Sequence, residues 1–310
     1  MVIKRKSSID LIVILGATAT GKTSLAVKLA DAYNGEIISS DSRQVYRKLN
    51  IGTGKDYEDY NINGKMIPYH LIDILNPVEN YSVYQFQIDF KTAFEKIISR
   101  RKQPILCGGT GLYIESVLLD YPLTEIPPNY KLRDDLENKS LNELRDLAGP
   151  GFTQYSNESE QNNKRRIIRF IEKLGSTGES IKQVVKIESA IVLGTDFPRD
   201  TIRRQITERL NYRLDSGLIE EVQQLVQEGL SYERLYYFGL EYKFIAQFLQ
   251  KKLTKSELSE KLATAIHQFA KRQLSWFRRM ERRGIKIHWI KEGDFQSALD
   301  TIKLNMEKLG

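Results

Sequence analysis

The run Leu11 to Leu15 (LIVIL), followed at once by Gly16-Ala17-Thr18-Ala19-Thr20-Gly21-Lys22-Thr23, constrains this chain more than any other feature in it. A short apolar run ended by glycine reads as a buried parallel strand. After the glycines, Leu25, Val27, Leu29 and Ala30 fall at helical spacing over residues 24–33. The eight residues between strand and helix fit G-x-x-x-x-G-K-[ST] in the setting that this motif requires. In such a loop the glycines let backbone N–H groups converge on phosphate oxygens, and the helix N-terminus adds a favourable dipole. Lys22 supplies a point charge, and the Thr23 hydroxyl suits Mg2+. Gly16 to Thr23 is therefore expected to grip a di- or triphosphate, with Thr23 as metal ligand. A ligand-free glycine turn would not account for Lys22-Thr23.

The strand–loop–helix pattern recurs. Glu36 to Ser39 (EIIS) and Pro104 to Cys107 (PILC) read as strands, the second running into Gly108-Gly109-Thr110-Gly111. Helices are expected over 84–99 and 112–119, a returning strand over 190–193, helices from Asp200 onward, and a last strand over 286–290. Together these imply an α/β fold, a P-loop NTPase-like parallel sheet flanked by helices, with the binding site at the strand C-termini. Prolines 122, 127 and 128 mark a change of composition. A helix-prone stretch (129–147), a polar loop (149–163) and a basic helix (164–174) follow, as a small helical insertion would. The expected division is a core of 1–120 with 188–310, ending in a helical C-terminal region, and an insertion domain over 121–187.

Of 310 residues, 41% are hydrophobic and 28% charged, ordinary for a soluble globular protein, and no apolar run approaches the ~20 residues of a membrane helix. The basic start MVIKRKSS reads as structure and not as a targeting signal. One cysteine, Cys107, allows no internal disulfide and no cysteine metal cluster, so a cytoplasmic protein is expected. Net charge is +7, from 47 Lys and Arg against 40 Asp and Glu. The basic residues cluster at Lys164-Arg165-Arg166 with Arg169, along 199–213, and along 271–283. Any one cluster reads as a solvated helix face, whereas three in one half of the chain point to nucleic acid.

A phosphate loop alone does not say what happens to the phosphate. A kinase or hydrolase would need a carboxylate after an apolar strand, and Asp41 stands there; a helix N-cap is an equal alternative for it. Beyond the loop, however, stand EIISSDSRQVYRKLNIGTGK, YHLIDI with Tyr81-Ser82, CGGTGLYIESVL, NKRRIIRFIE, ERLNYRLDSGLIEEV, GLEYK and FAKRQLSWFRR. In these blocks, in this order, the chain closely resembles the tRNA dimethylallyltransferases of bacterial type, also called tRNA isopentenyltransferases. Two departures concern Gln161-Asn162-Asn163, where the family often has His-Pro-Asn-Asp, and Ile266-His267-Gln268, where many members have Thr-Arg-Gln.

The resemblance implies a prenyltransferase that carries a dimethylallyl group from dimethylallyl diphosphate to N6 of the adenosine 3′-adjacent to the anticodon. Its loop, Gly16 to Thr23, would hold the diphosphate with Mg2+, in place of ATP. Asp41 matches the family's general base, Thr110 a contact to the target nucleotide, and Arg209 a further diphosphate contact. Without the resemblance, Thr110 reads as a helix cap and Arg209 as a surface arginine. Contacts to the tRNA anticodon stem-loop would come from Asp41, Ser42, Arg43 and Gln44, from Thr110 and Arg133, from Arg165, Arg166 and Arg169, and from Phe238, Gly239, Tyr242 and Lys243. A monomer is expected. Rival readings are a small-molecule kinase, a prenyltransferase acting on free adenylate, and an RNA-binding module without chemistry. His70 and Trp276-Phe277 read as packing residues, and Cys107 as a buried strand residue.

Overall fold

The computed structural model describes residues 9–121, 126, 129–155, 161–175 and 185–308. The chain divides into two compact units, 1–121 with 184–310, and 122–183. Val185 and Ile187, assigned from sequence to the insertion, pack on the core of the first unit. The N-terminal octet and the three prolines at 122, 127 and 128 lie outside the described residues.

In the first unit, six strands form one parallel sheet in the order β5-β2-β6-β1-β7-β8. They are β1 (Leu11–Leu15), β2 (Gly35–Ser40), β5 (Tyr69–His70), β6 (Gln103–Gly108), β7 (Ala190–Asp196) and β8 (Ile287–Lys291); β3 (Asn61–Ile62) and β4 (Lys65–Met66) make a separate hairpin. All five residues of β1 are buried. Its side chains alternate between two cores: Leu11, Val13 and Leu15 join one, Ile12 and Ile14 the other. A sheet covered on both faces explains why LIVIL is continuously apolar. β1 lies between β6 and β7, with Leu15 opposite Gly108 on one side and Gly194 on the other. The loops after β1, β2 and β6 thus emerge side by side at one end of the sheet.

Local signals account for the helices. α1 (Lys22–Ala32) starts directly after Gly21, whose φ of 66° is left-handed. α2 (Val83–Ser99) is capped by Ser82, which accepts the Gln85 N–H; such a cap contributes about 1 kcal/mol. α3 (Gly111–Leu118) follows the glycines after β6. The C-terminal region is helical: α8 (Arg199–Asp215), α9 (Leu218–Gln227), α10 (Tyr232–Phe238), α11 (Leu240–Leu249), the 28-residue α12 (Lys255–Arg282) opened by a Thr254/Glu257 capping box, and α13 (Phe295–Glu307). Among the described residues no helix is long and apolar enough to cross a membrane.

The second unit has its own core of Leu136, Leu144, Ala148, Phe152, Ile167 and Ile168. The stretch 129–147 is two helices, α4 (Tyr130–Glu137) and α5 (Leu141–Ala148), because Ser140 and Glu143 close a capping box between them. The expected loop 149–163 is corrected in part. Gly149, at φ 72°, ends α5, and Pro150 opens the short helix α6 (Pro150–Tyr155); proline suits a first helical position, where its missing N–H costs nothing. α7 (Lys164–Leu174) is capped by Asn163.

Candidate active site

The glycine loop lies between β1 and α1, with Ala19 (φ 64°) and Gly21 (φ 66°) both left-handed. Left-handed residues alternating with ordinary ones turn successive N–H groups toward one point, an anion-binding nest. Thr18 to Thr23 line a cleft of about 730 Å³, while Ala17 is fully buried behind it. Gly16 is there for space: a Cβ on it would come within 2.0 Å of Thr195 Oγ1. The buried Thr20 hydroxyl donates to the Ala17 carbonyl and meets Thr195 Oγ1 at 2.6 Å. The loop's shape is thus fixed from within.

Lys22 Nζ donates to the Ala17 carbonyl at 2.5 Å. Burial pushes its amine down to about 8, and the Arg209 charge adds to this, against opposing effects of Cys107 and Asp41. Arg209, on α8, donates through Nη2 to Thr18 Oγ1. Burial, with Arg213 one helical turn on, lowers Arg209 to about 10. Two cations held below their ordinary basicity in one cleft form a site that gains from receiving an anion. The Thr23 hydroxyl lines the same cleft and makes no hydrogen bond among the described residues. Asp41, Asp56 and Asp59 line it too. No cluster of three or more His, Cys, Asp or Glu side chains able to cage a metal exists among the described residues. This donor set fits Mg2+ held mainly by phosphate oxygens and water, as is usual for that ion.

Asp41 follows β2. Its Oδ1 accepts the Arg43 N–H at 2.8 Å and the Gln44 N–H at 3.3 Å, so Asp41 caps a turn and not a helix. Its other oxygen has no hydrogen bond among the described residues. Thr110 occupies the α3 N-cap position but makes no capping bond. Instead its Oγ1 accepts the Ser42 N–H at 3.1 Å, and its N–H donates to the Ser40 carbonyl at 3.2 Å. These bonds continue the β2–β6 ladder past its last register pair, Ser40 with Gly108, and hold Asp41 and Thr110 in one place.

The other expected contacts divide by environment. The Arg43 guanidinium donates to the Tyr237 carbonyl and sits 5.0 Å over the Tyr237 ring. The Gln44 amide is spent on structure, donating to the Thr53 and Gly54 carbonyls and accepting from the Ser39 hydroxyl. Phe238 and Tyr242 are buried. Phe238 packs edge-on against Tyr46 at 5.0 Å, and the Tyr242 hydroxyl donates to Glu221. Glu221 also accepts the N–H groups of Asn50, Ile51 and Gly52, and this clamp shapes the IGTGK turn. Gly239, at φ 75°, makes the bend between α10 and α11, and Lys243 is exposed.

In the second unit, Arg133 and Arg169 both bind the buried Glu172, at 2.7 and 2.9 Å. Burial opposes ionisation of Glu172, but hydrogen bonds from both arginines and from the Asn129 N–H hold its carboxyl at about 2. Arg165 and Arg166 are exposed on α7.

Sequence reasoning gave no site role to Arg213 or Gln273, which line the cleft with the loop, as does Glu241 from the FGLEYK run. Arg213 stands one turn beyond Arg209, a spacing that could have flagged it. Gln273 lies inside the FAKRQ block without a local sign of its role. His70 pairs with Glu36 at 2.8 Å, Phe277 is buried, and burial pushes the Cys107 thiol up to about 12.

A family model described as IPP transferase matches residues 44–280, and one described as isopentenyl transferase matches residues 9–65. A tRNA dimethylallyltransferase of Azobacteroides pseudotrichonymphae is 49% identical over 91% of this chain and 92% of that protein. One from Syntrophus aciditrophicus is 43% identical over 96% of this chain and 98% of its own length. Among solved structures, the full-length tRNA isopentenylpyrophosphate transferase of Bacillus halodurans superposes with a TM-score of 0.70 at 29% identity, covering 97% and 98% of the two chains. A eukaryotic dimethylallyltransferase acting on tRNA gives a TM-score of 0.75 at 26% identity, over 92% of this chain and 74% of that one. With a phosphate loop, a carboxylate at the end of β2 and a family match over most of its length, the chain belongs to the IPP transferase family.

Proposed function

We propose that this chain transfers a dimethylallyl group from dimethylallyl diphosphate to N6 of the adenosine 3′-adjacent to the anticodon in tRNA, releasing diphosphate. The observation that carries the reading is the sharing of one cleft by the phosphate loop and Asp41, whose second oxygen is uncommitted. The loop N–H groups, Lys22 and Arg209 would bind the diphosphate and stabilise the charge that grows on it as the allylic C–O bond breaks. Mg2+, held by the Thr23 hydroxyl, would add Lewis-acid neutralisation of the same leaving group. The N6 lone pair forms the new C–N bond, the C–O electron pair leaves with diphosphate, and the N6 proton passes to Asp41. The adenine must leave its stack to reach the cleft, and an unpaired loop nucleotide does so at least cost.

The exposed Arg165 and Arg166 of the helical unit, with Lys243 and Arg43 of the core, would meet RNA phosphates. We take a single chain to suffice, because one chain supplies every group named. The test mixes protein, an anticodon stem-loop RNA, dimethylallyl diphosphate and Mg2+. The expected products are pyrophosphate and prenylated adenosine in the RNA. Consumption of ATP with no prenyl transfer would overturn the reading, and preference for free AMP over the RNA would reassign the acceptor.

A further inference from the structure

Gln273 sits in the second half of α12, buried to 7% exposure, and reaches two loops that no other hydrogen bond among the described residues joins directly. Its Oε1 accepts the Thr18 N–H of the phosphate loop at 2.8 Å. Its Nε2 donates to the Gly109 carbonyl at 2.9 Å, at the turn that carries Thr110. We propose that Gln273 is a positioning residue that ties the leaving-group side of the cleft to the acceptor side. The proposal rests on the transferase reading above and deepens it.

The chemistry of the two partners selects an amide. One is a donor and the other an acceptor, so the bridging side chain must accept and donate at once. A carboxylate would set an oxygen against the Gly109 carbonyl, an ammonium could not accept from Thr18, and asparagine is one methylene shorter. The partner loop is built for the approach: a Cβ on Gly109 would come within 2.2 Å of Gln273 Nε2. From each end the tie continues into the site. Thr18 Oγ1 receives Arg209 Nη2, while Thr110 holds Ser42 and Ser40 on either side of Asp41. The Thr18 N–H, expected from sequence to face phosphate, is therefore occupied by Gln273, and the anion is left to the remaining loop donors. Displacing a reacting group by about 1 Å can cost a hundredfold in rate, so a single amide spanning both loops sets the distance that matters.

Gln273→Leu removes both hydrogen bonds at similar volume, and Gln273→Glu keeps the length and the acceptor for Thr18. Each is compared with wild type for single-turnover prenyl transfer at saturating substrates, pyrophosphate affinity by calorimetry, RNA affinity and melting temperature. Both variants are expected to lose ten- to a hundredfold in transfer rate per folded molecule, while RNA affinity stays within twofold. Gln273→Leu should also weaken pyrophosphate binding several-fold. Wild-type transfer rates in whichever variant is folded at the assay temperature would overturn the proposal, even with a lowered melting point. If wild type itself transfers no prenyl group, the functional reading fails separately. The tie to the phosphate loop then stands or falls on pyrophosphate affinity alone.

Discussion

Replacing Asp41 by Asn separates its two roles, because only one of them needs a charge. Oδ1 accepts two backbone N–H groups, at 2.8 and 3.3 Å. An asparagine oxygen in the same position keeps both, with some loss because charge-assisted bonds are the stronger ones. The structural cost should therefore be about 1 kcal/mol, one weakened turn. The Oδ2 position becomes an amide, which cannot take the N6 proton. Loss of a positioned general base costs about a hundred- to ten-thousandfold in rate, equivalent to roughly 3–5 kcal/mol of barrier. Asp41→Ala should lose the same chemistry and in addition leave the Arg43 and Gln44 amides unpaired, at a further ~1–3 kcal/mol of stability. Single-turnover transfer, RNA filter binding and thermal melting on both variants give the comparison. The expected pattern is equal rate loss, unequal melting temperature and an RNA affinity that falls far less than the rate. A D41N protein that retains a third of wild-type rate, or whose loss is matched by unfolding, would refute the assignment.

Three more outcomes follow from the geometry. Because burial holds Lys22 at about 8, pyrophosphate affinity should fall as pH rises through that value, and binding should draw up a proton above it; calorimetry in buffers of different ionisation enthalpy reads this, and a flat profile from pH 7 to 9 would count against it. Glu172, held at about 2 against an unfolded value near 4.5, contributes stability that is fully present above 4.5 and is lost as pH falls toward 2. Glu172→Gln should then destabilise the helical unit by a few kcal/mol at pH 7, read by hydrogen exchange of 164–174, with no such difference expected at pH 2. Finally, with its thiol pushed up to about 12, Cys107 should resist iodoacetamide at pH 8 in the folded protein, and stoichiometric alkylation within minutes would contradict its burial.

What the sequence disclosed and what it hid follow one physical rule. The phosphate loop, β1 and the turn after β6 were legible because their determinants are local: glycine spacing, apolar runs, and a lysine beside a threonine. Asp41 was legible as a residue but not in detail, since nothing local says that its carboxylate caps a turn and not a helix. Gln273 was invisible because its partners lie 255 and 164 positions away. Arg133 and Arg169, which the resemblance implies as RNA contacts, both pair with Glu172, a pairing hidden from the sequence because it depends on how α4 meets α7. Phe238 and Tyr242 stand in the expected RNA-contact block, and both are buried residues that line the cleft, a placement that no local signal gives. The short helix over 150–155 was lost under a run of loop-forming residues whose proline was in fact a start signal.

The position of β1 between β6 and β7 has a bearing on how the chain is made. Its left-hand neighbour leaves the ribosome about a hundred residues after it, but its right-hand neighbour, registered from Leu11 with Ala190, comes only after the whole helical unit has been synthesised. Until then one side of the most apolar strand is an open edge, the kind of surface on which nascent chains pair wrongly. The helical unit carries its own core and could fold during that wait. Gln273 arrives later still, so the two halves of the cleft are tied together last, and a ribosome stalled before that point would display a phosphate loop that has no fixed partner.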